Sequence, residues 1–196
     1  RALNAPLGVV LVRKIGVPWQ PELALGAIAE GPSSVTVQNE DVMAMAAISP
    51  AEFSRLRDVA LTEIDRRRQR YLRGRSRVDV AGKTAIVVDD GVATGATMRA
   101  ALRAVRAGHP KAVVLAVPVA SSTALSELAP EADAVVCLES ASYFPGVGAF
   151  YTVFDQLSDD EALAILDRFA PPRDDRPEAR ATATPKASTP TVAHRS

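Results

Sequence analysis

The stretch from Thr84 to Ala104 constrains this chain more than any other. Ala85 to Val88 is a short apolar, β-branched run of the kind that makes a buried parallel strand. Asp89 and Asp90 stand where that strand should end. Ala93 to Thr97 is small and hydroxyl-rich, and it opens an Ala-rich helix. Strand, acidic pair, small-residue loop and helix form half of a βαβ unit, and in open α/β sheets ligands sit at the carboxyl ends of such strands.

The loop suits a phosphate. Gly95, with the small Ala93 and Ala96, lets the backbone come close to an anion. The free N–H groups and the dipole at a helix start favour negative charge there, and Thr94 and Thr97 add hydroxyl donors. Two carboxylates touching a phosphate would repel it. They fit if they face vicinal sugar hydroxyls, which donate to carboxylates. The pattern therefore asks for a ribose carrying a 5′-phosphate.

The run Val87-Val88-Asp89-Asp90-Gly91-Val92-Ala93-Thr94-Gly95-Ala96-Thr97 resembles the phosphoribosyl pyrophosphate (PRPP) motif of type I phosphoribosyltransferases, here of a bacterial branch. The resemblance extends over roughly Leu7 to Phe169. It implies an α/β fold with a doubly wound, mostly parallel sheet and a small hood region over residues 1–170. It also implies transfer of 5-phosphoribose from PRPP to a nitrogenous base with release of pyrophosphate, with Mg2+ held mainly by PRPP and with no direct protein ligand. Asp89 and Asp90 would hold the ribose hydroxyls and favour an oxocarbenium-like ring. Ala93, Thr94, Gly95, Ala96 and Thr97 would clamp the 5′-phosphate. A homodimer acting in nucleotide metabolism is the corresponding expectation.

Composition sets broad limits. The 196 residues allow one α/β domain. No run approaches a membrane span and no signal peptide is visible. Lys plus Arg number 23, as do Asp plus Glu, so whole-chain charge does not point to nucleic acid. The lone Cys137 lies in an apolar run and reads as a strand residue, with no internal disulfide available to it. A cytoplasmic setting is the default expectation.

Along the chain, Leu7 to Arg13 is expected as a central strand, with Arg13 and Lys14 at its carboxyl end. A similar Arg-Lys pair contacts pyrophosphate in adenine and orotate members of the family, so the resemblance implies that role here. Gly16 to Leu25 reads as a loop in the place of the family's flexible lid, with Trp19 either packed or part of that lid. Ala27–Ala29 and Val35–Gln38 read as a hairpin about a Gly-Pro-Ser-Ser turn. Ser49-Pro50-Ala51-Glu52 is a capping box for a helix to about Tyr71. Its arginines, with Arg73, Arg75 and Arg77, fit a solvated face better than a nucleic-acid site. Ala112–Val117, Ser121–Leu128 and Ala134–Leu138 read as strand, helix and strand, with Pro118 ending the first. Ser158-Asp159-Asp160-Glu161 starts a last helix to about Phe169. Residues 171–196 hold almost no large apolar side chains and read as a disordered tail or linker.

Tyr143-Phe144, among Gly and Pro, make either a packed loop or a platform for a planar ring. The resemblance implies base stacking. Three departures separate the chain from hypoxanthine–guanine members: Ala93 replaces a third acid, no Lys lies between Ala129 and Ala134, and Phe150 stands near where an Asp is expected. Type I enzymes also carry an earlier strand, a Gly-rich pyrophosphate loop and a helix. No counterpart precedes Leu7, and Arg1 to Pro6 read as the end of a helix and a turn, so the chain reads as beginning inside a fold. The rivals to catalysis are a PRPP- or nucleotide-binding regulatory domain, or one domain of a longer fused enzyme.

Overall fold

Two hydrophobic periodicities alternate along the chain, and the computed structural model resolves them into an α/β fold. It describes residues 3, 5–31, 34–72 and 77–169. Strands β1 (Val12–Val17), β2 (Gln20–Ala29) and β3 (Val35–Gln38) form an antiparallel sheet in that order. Strands β4 (Thr84–Val88), β5 (Ala112–Ser121) and β6 (Ala134–Ala141) form a parallel sheet in that order. The helices are α1 (Glu40–Met45), α2 (Pro50–Leu72), α3 (Ala96–Arg106), α4 (Ser122–Leu128) and α5 (Asp159–Phe169).

Helix α3 joins the two sheets because its apolar residues cover more than one face. Met98, Ala101 and Leu102 pack with Val87, Val113 and Leu115 of the parallel sheet. Ala100 and Ala104 pack with Ala27, Ala29 and Val37 of the antiparallel one. Small side chains on both sides let the helix come close to the strands. The other face of the antiparallel sheet receives α2, whose Phe53, Ala60 and Ile64 bury against Leu11, Ile15, Leu25 and Ile28. Each such large side chain, fully buried, contributes roughly 1.5–3 kcal/mol.

Both capping boxes are present in part or whole. Ser49 Oγ accepts from Glu52 N at 3.2 Å. Ser158 Oγ accepts from Glu161 N at 3.3 Å, while the Glu161 carboxylate accepts from Ser158 N at 2.8 Å. The arginines in the last turns of α2 are engaged at the surface: Arg66 and Arg67 with Glu63, Arg68 with Asp65, and Arg70 with Asp159.

Several boundaries differ from expectation. The first strand begins at Val12, not Leu7, and is paired antiparallel with β2. Residues 7–11 form no ladder. Arg13 and Lys14 consequently lie inside the strand and not at its carboxyl end. The expected lid over Gly16–Leu25 is instead the tip of a tight hairpin, with Pro18 and Trp19 as its turn. Trp19 is 67% exposed there and packs no core. The register shifts at Gly16, where a side chain would run into the Pro21 backbone, so this glycine permits a bulge. Pro18 and Pro21 suggested a loop, yet both fall where no inner ladder bond is lost.

Strand β5 likewise continues past Pro118 to Ser121. The ladder to β6 passes from Val117–Cys137 to Val119–Glu139, skipping the residue that has no N–H to give. The 27–29/35–38 hairpin is as expected. Pro32 and Ser33, Arg73 and Arg75, and the tail expected over 171–196 lie outside the described residues.

One face of the parallel sheet remains apolar and open. Register places Ile86, Val88 and Val136 on the same side, where each is exposed, and Leu138 beyond them is 83% exposed.

Candidate functional site

The site is built at the carboxyl end of the parallel sheet. Strand β4 stops at Val88, and Asp89 and Asp90 follow with their side chains reaching solvent. Asp90 N donates to Asp89 Oδ1 at 3.0 Å, which orients the first carboxylate. Loss of water around Asp89 pushes its pKa up from the ordinary Asp value. The Asp90 N–H pulls it partly back, and the neighbouring Asp90 charge pushes it up again.

The chain then returns to the sheet. Val92 bridges to Ala120, donating to Val119 O at 3.0 Å and accepting from Ser121 N at 2.9 Å. Ser121 Oγ donates to Ala93 O at 2.7 Å and accepts from Ala124 N at 3.2 Å, so one hydroxyl holds the loop and caps α4. Gly95 is the N-cap of α3, at φ 78°, and no side chain caps that helix. A β-carbon at Gly95 would meet Leu128 at 3.4 Å and be strained by the positive φ. The first-turn N–H groups of an α-helix have no intrahelical acceptor. Here they open beside the exposed hydroxyl-bearing Thr94 and Thr97. Ala93, Thr94 and Gly95 in the loop, and Ala96 and Thr97 in the first turn of α3, thus follow Asp89 and Asp90 at one end of the sheet. The arrangement can accept hydrogen bonds from a diol on one side and donate them to an anion on the other.

Arg13 and Lys14 are placed differently. Alternation along β1 puts them on opposite faces, with Leu11 and Ile15 toward α2 and Val12 toward α3. Both border an open groove of about 440 Å³ between β1 and α2, lined also by Leu56, Val59, Thr62 and Glu63. Lys14 Nζ pairs with the Glu22 carboxylate at 3.0 Å. Among the described residues, no hydrogen bond or ion pair links either cation to the 89–97 loop.

The expected aromatic platform divides. Phe144 is stacked on Phe150 with ring centroids 5.0 Å apart, whereas Tyr143 is 83% exposed. Sequence reasoning missed two groups that hold the acidic loop from the hood, the stretch that follows β6. Tyr151 Oη donates to Asp90 O at 2.6 Å. Val147 packs so closely on Gly91 that an added β-carbon there would lie 2.7 Å from it. The only sequence signal was the aromatic spacing after Gly148, which carries no indication of a backbone partner 61 residues away.

A fold with this loop at this strand end defines the class. The phosphoribosyl transferase domain model matches residues 10–151, and the chain belongs to that family. It is similar to two Mycobacterium tuberculosis proteins, Rv0571c and MT0597, whose names assign them only provisionally as phosphoribosyl transferases. Each is 46% identical over 168 residues, or 86% of this chain and 38% of its own length. The chain thus spans about two fifths of these relatives. Protein TT1426 from Thermus thermophilus, known from a crystal structure, superposes with a TM-score of 0.71 at 40% identity, covering 87% of this chain and 80% of its own.

Proposed function

We propose that this domain binds the 5-phosphoribosyl group of PRPP and transfers it to a nitrogenous base, releasing pyrophosphate. The observation that carries the reading is the pair of exposed carboxylates at the end of β4, joined by one short loop to the uncapped N-terminus of α3. Asp89 and Asp90 would accept from the ribose hydroxyls and favour positive charge on the ring as the glycosidic bond loosens. Ala93 to Thr97 would hold the 5′-phosphate through backbone and hydroxyl donors. Little covalent chemistry is asked of the protein, so positioning and electrostatics would supply the rate.

The oxygen chemistry of this site suits magnesium. Magnesium keeps few protein ligands beside a phosphate substrate, so the ion would take its oxygens mainly from PRPP. Bound there, it would supply neutralisation of charge on the leaving pyrophosphate. Arg13 and Lys14 would serve the same charge only if the hairpin delivers them. The Lys14–Glu22 pair is exposed, and such pairs are worth about 0–1 kcal/mol, so it can be exchanged for a phosphate. Tyr143 is the open face for a base, with Phe144 supporting the turn behind it. The same proposal includes a cytoplasmic homodimer. Engagement of the α2 arginines by Glu63, Asp65 and Asp159 favours a small-molecule partner over nucleic acid.

Ala93 in place of a third acid favours a second reading, a domain that binds PRPP or a nucleotide without turning it over, alone or within a longer protein. Pyrophosphate release from PRPP decides between them, measured with saturating magnesium and a panel of bases on this chain and on a version extended upstream. Transfer predicts base-dependent release, faster in the extended version by on the order of a hundredfold if preorganised pyrophosphate donors lie upstream. Binding of ribose 5-phosphate with no release from either version, whatever the base, would overturn transfer and leave the binding domain.

A further inference from the structure

We infer that Tyr151 is a positioning residue for the acidic pair: its hydroxyl locks the backbone of Asp90, and through it the direction of both carboxylates. The ribose-binding consequence rests on the function proposed above. The backbone lock itself does not.

Both backbone groups of Asp90 are tied. Its N–H goes to the Asp89 carboxylate at 3.0 Å, and its carbonyl accepts from Tyr151 Oη at 2.6 Å. The peptide units on either side of Asp90 are therefore held, while its side chain remains free to meet a ligand. The next residue, Gly91, is pressed between Val147 and Val119, with room for no β-carbon. Tyr151 and Val147 belong to one short stretch, whose 3₁₀ turn spans Val147–Phe150, so a single turn of the hood grips two successive residues of the acidic loop. The Tyr151 ring is set in turn by Phe154, at 5.1 Å between centroids. The stretch starts beside Phe144, stacked on Phe150. Ordering the hood around a base would thus also steady the carboxylates that face the sugar.

The test is Tyr151→Phe beside Phe154→Leu, the second keeping the hydroxyl while loosening the ring. Two readouts are taken: the carbon-13 carboxyl titration of Asp89 without ligand, and calorimetric affinity for ribose 5-phosphate. Asp90 is the charged neighbour that acts on Asp89, and the Asp90 N–H holds its pKa down. A loosened Asp90 should let Asp89 titrate at higher pH in Tyr151→Phe than in the parent. Affinity should fall about fivefold, the usual worth of one hydrogen bond. Phe154→Leu should change both less. Parent-like titration and affinity in Tyr151→Phe would overturn the inference, as would equal effects from both variants, which would mark a purely structural role. If the parent itself fails to bind ribose 5-phosphate, the functional reading falls, and the Asp89 titration still decides the role of Tyr151.

Discussion

Gly95 shows how much of the site depends on one backbone angle. At φ 78° it turns the chain from the acidic loop into α3, and its Cα faces Leu128 and Ala124. Gly95→Ala should cost about 1–2 kcal/mol from the left-handed backbone alone. It should also weaken phosphate binding by tilting the first-turn N–H groups. Thermal melts and ribose 5-phosphate calorimetry check both. A melting temperature unchanged from the parent would mean that the strain is relieved elsewhere. This glycine, its small neighbours and the two acids were readable from sequence because their chemistry is local: residue type and spacing alone suggest an anion cup and a diol acceptor. Tyr151, Val147 and Ser121 were not, since their roles come from contacts between stretches that only the fold brings together. For Arg13 and Lys14 it is the place in the strand that differs from expectation. Their identity is clear, but their place depends on a strand that starts well after its apolar run does.

At the scale of elements, α3 is anchored on its polar side as well as its apolar ones. Arg103 lies against both oxygens of Glu131, with Nε at 3.1 and 3.0 Å, and Arg106 reaches Asp133 at 2.8 Å. The Asp133 carboxylate also accepts from Val113 N at 2.6 Å, linking the helix to the start of β5. Hydrogen bonding from Arg103 holds the Glu131 pKa below its ordinary value, and the Val113 N–H, then Arg106, does the same for Asp133. A depressed folded pKa means that the stabilisation is complete above the unfolded value, about 4 for these groups, and lost as pH falls through the folded one. The melting temperature should therefore drop in acid, and Arg103→Gln should remove part of that drop while lowering the neutral value. Identical pH slopes in parent and variant would show that the clamp does not couple to folding. The positions of α2 and α5 were well read from their caps, as Ser49 and Ser158 show, whereas α1, capped by Asn39, was not expected. Strand ends were poorer guides, because Pro18, Pro21 and Pro118 look like breakers until the ladder reveals that their missing N–H groups interrupt so little.

For the whole molecule, the parallel βαβ half and the antiparallel hairpin half meet over α3 and share no ladder. The α/β class and the parallel order of β4, β5 and β6 followed from alternating strand and helix patterns. The separate antiparallel sheet did not, since an apolar run such as residues 7–12 carries no mark of its partner's direction. The open apolar face around Ile86, Val88, Val136 and Leu138 and the two-fifths span of the relatives both concern what surrounds this domain. Neither touches the loop at the end of β4, on which the functional account depends. The direct measurement of that account is calorimetric titration of ribose 5-phosphate into the parent chain and into Asp89→Asn/Asp90→Asn, with folding of both verified by circular dichroism. The account predicts saturable binding to the parent and at least roughly hundredfold weaker binding to the folded double variant, since two charged acceptors are lost at about 1.5–3 kcal/mol each. Equal affinity in the two folded proteins would contradict it.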